Sequence, residues 1–360
     1  MKLAIKKILL FCALAPACTA RCQEVWPSPE IKLMNEHAIE YMGMSDFRDA
    51  ITTYRQAISL APDKITLYKG LGKAFYLSGQ YKEAEETIMP LITRQQADDQ
   101  CYELLAASQA AQKKMMEARA TVKKGLANFP SSGAMYHASG MVYNLDKDSE
   151  NALKAWLDGI TLAPGYPANY YDACLLYLKT DHVTWGLLYA EMYLAMSHDT
   201  TMDDTIKSKL YEGYKTFFGH IAGDNVPQYG KTKTGEKQGS FETAMTRVYA
   251  QLTPVVSDGV TVENLAMVRT RFLMDWLSTW GKQYPFALFS YEDRLLKNGY
   301  FDKYNEWLFG KAQSMTEYNV WNQFHTDDID DFLEWWQEHP LIPAAKEFYN
   351  DRQTVLIKKE

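Results

Sequence analysis

The chain has 360 residues, 47% of them apolar and 13% aromatic, which is enough to bury cores in two or three domains and excludes global disorder. Its formal charge is −7 and no basic block interrupts it. Nucleic acid is thereby excluded as an expected partner, because phosphates demand clustered Lys and Arg.

The N-terminus reads as an export signal over residues 1–22. Lys2, Lys6 and Lys7 precede a short apolar run, Ile8 to Ala15, and small residues follow up to Cys22. Cleavage after Ala17, Ala20 or Cys22 fits the pattern, and the last removes four positive charges and no acids, leaving −11. A lipoprotein signal competes, with Cys18 as the lipid-bearing residue after Ala15-Pro16-Ala17. Either way the expected location is exported: periplasmic, envelope-associated or secreted, in a Gram-negative bacterium. No later segment is long and apolar enough to cross a membrane, so the only membrane contact expected is a lipid on Cys18. Cys101 and Cys174 are the only cysteines well inside the mature chain, and they are predicted to be lone thiols.

From Ile31 the chain repeats. Cuts at Ile31, Ile65, Asp99, Gly133 and Pro167 give five consecutive blocks of 34 residues without a gap. Each holds two apolar-periodic stretches of helical spacing. Small residues recur at one place in the second stretch (Ala50, Ala84, Ala118, Ala152), and large ones such as Tyr41, Phe75 and Tyr143 are expected to fill the space between paired helices. Pro62, Pro130 and Pro164 end the second stretch. Pro90 falls inside one and is predicted to kink or shorten it, and Gln96 stands where the next terminating Pro belongs. The polar Gln109 and His37 occupy places usually apolar, with His37 expected half-buried and hydrogen-bonded.

The residues at equivalent places resemble the tetratricopeptide-repeat family. They include Ala38, Tyr41, Ala50, Tyr54 and Pro62 in the first block, Leu71, Gly72, Tyr81 and Ala84 in the second, and Tyr136, Gly140, Tyr143, Ala152 and Pro164 in the fourth. The fifth is weaker, with Gly186 for the usual Ala and His198 for the Pro. The resemblance covers 31–200 and implies an all-α fold, a right-handed α-solenoid followed by an additional helical domain. It further implies a concave wall, lined by the first helix of each block, that binds a protein or peptide. On that wall fall Lys32, Asn35, Lys69, Lys73, Glu103, His137, Met141, Tyr171 and Leu175. They run from polar and basic to apolar, which suits a peptide with an acidic end and an apolar end. Members that clamp the terminal carboxylate of chaperones use Lys, Asn, Asn, Lys and Arg. Asn35, Ile39, Gly70, Gln100 and Leu104 stand at the matching places, so that partner is argued against.

Beyond Thr200 the register is lost. A helix over 201–219 is predicted to cap the array, and 220–240, rich in Gly, Lys and Thr, reads as an exposed loop. An aromatic-rich helical domain follows over 241–360. Its predicted helices are Phe241 to Leu252, Val262 to Tyr284, Phe286 to Asn298, Phe301 to Phe309, Asp327 to Glu338, and a tail helix from Ala344. Gly299-Tyr300-Phe301 copies the turn of a repeat. The aromatics read chiefly as core; the adjacent Trp335 and Trp336 cannot both face one narrow stripe, so one is expected to reach the surface as part of a glycan or peptide platform. The acidic run Asp327 to Asp331 is expected to open a helix, with Thr326 or Asp327 as N-cap, rather than to bind calcium.

No GxSxG, HExxH, Walker-type or GxGxxG pattern occurs, nor any CxxC or zinc-spaced Cys/His set. No cofactor, metal or catalytic residue is expected. The leading expectation is a non-catalytic protein-interaction scaffold of the envelope. The rivals are a cell-wall or glycan-binding module using exposed Trp, and an enzyme with a site in the C-terminal half.

Overall fold

A computed structural model describes residues 25–197, 203–221, 241–344 and 346–355. The export signal with Cys18, and the loop from 222 to 240, lie outside the described residues. Among the described residues there is no β-strand; helices form throughout.

Ten helices pair off along the array in chain order: α1 Pro29–Gly43, α2 Phe47–Leu60, α3 Ile65–Leu77, α4 Tyr81–Thr93, α5 Asp99–Ala111, α6 Met115–Asn128, α7 Gly133–Leu145, α8 Ser149–Leu162, α9 Pro167–Tyr177 and α10 Val183–Met196. The chain reverses within the first four blocks at Ser45, Gly79, Lys113 and Lys147, each with φ between 61° and 78° and each 34 residues after the last. At Gly79 the bonding is typical: its N–H donates to Tyr76 O and that of Gln80 to Phe75 O, which satisfies carbonyls that the helix end leaves open. The period in sequence is therefore a period in backbone conformation.

Packing follows the same beat. Ala50, Ala84, Ala118 and Ala152 are completely buried, where two helices touch. Trp156 fills the space beside Gly140, and its indole N–H donates to His137 O at 3.3 Å; a Cβ on Gly140 would strike that indole. Tyr143, expected in the same filling role, is 37% exposed instead. Pro90 does not end α4 where it stands. The helix runs three residues further and stops at Thr93, and Gln95 takes up φ 57°. A left-handed cap thus replaces the proline stop used by the first, third and fourth blocks. His37 is exposed rather than half-buried. Gln109 is buried and bonded to Glu85 (3.2 Å) and Thr121 (2.7 Å).

The remaining helices are α11 Asp203–Ile221, α12 Phe241–Leu252, α13 Val262–Thr279, α14 Ala287–Lys297, α15 Phe301–Gln313, α16 Met315–Phe324, α17 Thr326–Glu338 and α18 Asp351–Val355. α11 includes residues 220 and 221, expected in the loop. α13 stops five residues short of the expected Tyr284, and α16 was not expected at all. The hairpin α14–α15 turns at Gly299 (φ 77°) with the bonding of a repeat, Gly299 N to Leu296 O and Tyr300 N to Leu295 O. His325, not Thr326 or Asp327, is the N-cap of α17, while Asp327 and Asp328 do lie in its first turn. The tail helix expected from Ala344 begins only at Asp351, as α18, and the segment before it runs back over the fold as a strap.

One apolar cluster runs unbroken from Ala152 in the fourth block to Leu341. α10 lies at its centre, with every residue from Val183 to Met196 buried. α9 covers one side, while α11 and α14 cover the other. The strap closes the cluster. Leu341 N donates to Ala195 O, Phe348 N donates to Pro285 O, Ala287 N donates to Phe348 O, and Arg352 pairs with Asp158 in α8 at 2.6 Å.

Candidate interaction surface

The first helices α1, α3, α5, α7 and α9 pack against one another in succession as well as against their partners, whereas the second helices pack on their own partner and on the next first helix. Closer approach along one side curves the stack, and the first helices form its inner wall. The C-terminal helices reach the array chiefly through α10, and the strap reaches α8, α9 and α10.

The wall differs from the gradient expected of it. Lys32 is exposed and pairs with Glu36 at 3.2 Å. Asn35 is buried and presents nothing to solvent. Lys69 donates to Asp98 (2.6 Å), the last residue of its own block, and to Gln100 (3.0 Å) of the next. Lys73 is exposed on the following turn, as is Ile39. Met141 packs on the core of the third and fourth blocks, Tyr171 meets Tyr193 edge-on at 5.1 Å, and Leu175 packs on the main cluster. The basic end is thus largely neutralised by the protein's own acids.

Glu103 and His137 sit one period apart, and the structure joins them. His137 Nδ1 lies 2.5 Å from Glu103 Oε1, and Nε2 lies 2.9 Å from Asp172 Oδ2. Tyr166 donates to both oxygens of Glu103, at 2.8 and 2.7 Å. The three ionisable side chains are only 14–19% exposed. Burial by itself would lower the imidazole's pKa, but the hydrogen bonds from Asp172 and Glu103 outweigh it and push it up to about 10. His137 is therefore a cation at neutral pH, gripped from both sides by consecutive blocks. Asp172 and Tyr166 were missed from sequence. Asp172 falls one place off the period, at the residue after Tyr171, and only the 35-residue interval from His137 hinted at it. The phenol of Tyr76 is raised by burial, then by Tyr81, Asp172 and Glu103, which puts it within electrostatic reach of the same cluster.

Trp335 and Trp336 do not form a two-ring platform. Trp336 is buried against Trp307 (5.1 Å), because Ile329, Phe332 and Trp336 are the stripe that α17 turns inward. Trp335 is half-exposed, stacked on His339 at 4.7 Å and beside Tyr300 at 5.3 Å.

The C-terminal half does hold perturbed carboxylates. Arg269 (α13) bonds Glu191 (α10), Glu292 (α14, 2.5 Å) and Asn305 (α15, 2.5 Å). Burial, then repulsion from Glu191, pushes the Glu292 carboxyl up to about 8 against the pull of Arg269. The three charged side chains are 1–6% exposed, so this is an interior tie and no cleft opens onto it. Among the described residues no group of three or more His, Cys, Asp or Glu is placed to hold a metal. Cys101 and Cys174 are free and buried.

The model of the tetratricopeptide-repeat family matches residues 41–108. The array is a tetratricopeptide-repeat solenoid. The C-terminal part is not assigned to a family. No curated protein matches the chain. Solved structures similar to it include a thermophilic tetratricopeptide protein of Thermus thermophilus, 15% identical over 51% of this chain and 98% of that one, TM-score 0.44. Another is a tetratricopeptide protein of Parabacteroides merdae, 12% identical over 80% of this chain and 100% of that one, TM-score 0.33. A third is YrrB, described as having an unusual peptide-binding site, 15% identical over 47% of this chain and 87% of that one, TM-score 0.29. The assignment of the tetratricopeptide array rests on the family match and on the period of its turns, since superpositions this loose do not separate one solenoid from another.

Proposed function

We propose that this protein is a non-catalytic scaffold of the bacterial envelope that binds a protein or peptide through the inner wall of its tetratricopeptide array. The observation that carries this reading is the wall itself. The C-terminal helices pile onto α10 at the end of the array, and α1, α3, α5 and α7 keep their inner side clear of them. Exposed Ile39, Lys73 and Leu77 supply contact area there, and the half-buried Glu103–His137–Asp172 tie links three consecutive blocks. Repeat arrays of this kind serve generally as interaction scaffolds. Export by the N-terminal signal, with or without lipid on Cys18, belongs to the same proposal.

The test is capture from envelope extract by the mature chain and by an Ile39→Glu/Lys73→Glu variant. Both side chains are exposed, so folding should survive. The wild type should enrich specific proteins that the variant loses. Equal recovery by both would remove the inner wall as the binding site.

A further inference from the structure

We propose that the tip formed by α16 and α17 is a second docking surface, built for a basic amphipathic segment of another protein. This surface is separate from the inner wall and does not depend on that reading.

Charge is the first ground. Between Lys311 and Lys346 there are seven acids and no Lys or Arg, while the whole chain carries −7. Counted over the full chain this hairpin equals the whole formal excess, and once residues 1–22 are removed it holds −7 of −11. α17 turns Ile329, Phe332 and Trp336 inward and exposes Asp327, Asp328, Asp330, Asp331, Glu334 and Glu338. Glu317 adds an exposed carboxylate on α16. The nearest flanking cation, Lys311, is 3.5 Å from Asp204 and lies over Tyr318.

The second ground is a pair of apolar side chains, Val320 and Phe324, that no described residue covers. α16 has no buried residue. It rests on the fold through Tyr318, whose ring lies where a Cβ on Gly310 would go, and through Trp321, which packs on the main cluster. At 100° per residue Val320, Phe324 and Glu317 lie side by side on one edge of α16, next to Trp321 and turned away from Tyr318. Val320 is 50% exposed and Phe324 80%, the most exposed aromatic ring among the large hydrophobics of the described residues. Sequence alone gives no reason to spend a Phe on water at the rim of an acidic surface.

An apolar anchor fringed by carboxylates selects a partner with the inverse pattern, apolar side chains flanked by Lys and Arg. Such a segment places its hydrophobic stripe on Val320 and Phe324 and its cations against Glu317 and the start of α17. The same carboxylates repel an anionic lipid surface, so the occupant is a protein segment and not a bilayer.

The experiment uses the intact chain and a fluorescent amphipathic helix made of Lys and Leu, with a scrambled peptide of identical composition as comparison. The amphipathic peptide should bind the wild type at least about tenfold more tightly than the scrambled one, and Val320→Ser/Phe324→Ser should abolish that preference. Asp327→Asn/Asp328→Asn should weaken binding at low salt and flatten its dependence on salt. Ile39→Glu/Lys73→Glu on the inner wall should bind the peptide as the wild type does. Equal affinity for the two peptides, or a Val320→Ser/Phe324→Ser variant that still distinguishes them, overturns the proposal. So does binding of the amphipathic peptide that the inner-wall variant alone removes.

Discussion

Two side chains of opposite legibility define the residue scale. His137 and Glu103 stand one period apart and could be paired on paper; the Arg269 cluster could not, since its members lie 78, 23 and 36 residues from the arginine. Two carboxylates around one guanidinium leave a surplus negative charge in the interior unless one proton is kept. Glu292, raised from 4.5 to about 8, is where it is kept. Over that interval the folded chain holds a proton that the unfolded chain has released. Stability is therefore fullest below the lower value and falls as pH rises through the upper one, by at most about 1.4 kcal/mol per pH unit from this group. Glu292→Gln supplies a permanently neutral side chain and leaves Glu191 and Arg269 paired one to one. Urea midpoints at about pH 5 and about pH 9 should drop for the wild type and drop less for the variant. Equal drops would place the proton elsewhere.

Among the elements, the turns carry the most information. Four left-handed positions fall at one period, yet only one of them is Gly, so Ser45, Lys113 and Lys147 hold a conformation that L side chains adopt at a cost. Lys113→Gly and Lys147→Gly should each stabilise by up to about 1 kcal/mol, and Gly79→Ala should cost about the same. Thermal melts of the three variants check this; a Lys113→Gly that melts lower than the wild type contradicts it. Helix positions were legible wherever one face is buried against one neighbour, as in α2, α14 and α17. α16 escaped notice because its apolar residues point both ways, Trp321 inward and Phe324 outward, which blurs the periodic stripe. α10 shows the opposite blur, being covered on all sides with a single charge, Glu191, held by the Arg269 tie.

For the whole molecule, the decisive feature is that the last two blocks and the C-terminal half share one core. The strap completes it. Tyr177 donates to Asp351 (2.8 Å), the Asp351 N–H donates to Tyr189 (3.1 Å), and Leu341 is buried. A chain ending at residue 339 loses these contacts and should be less stable by about 3 kcal/mol or more. Amide exchange in α8 and α10 should speed up, and exchange in α2 and α4 should not. A truncated chain that melts with the wild type would show that the strap is ornamental.

From residue order alone came the period, the paired helices and the solenoid class, because these depend on spacing within some 40 residues and on local backbone preference. Folding in three dimensions decided which wall residues are spent on one another, which tryptophan is hidden, and where the net charge gathers beside a bare Phe. Those outcomes depend on contacts between segments far apart in the chain, where burial and charge are sums over neighbours that no local pattern lists.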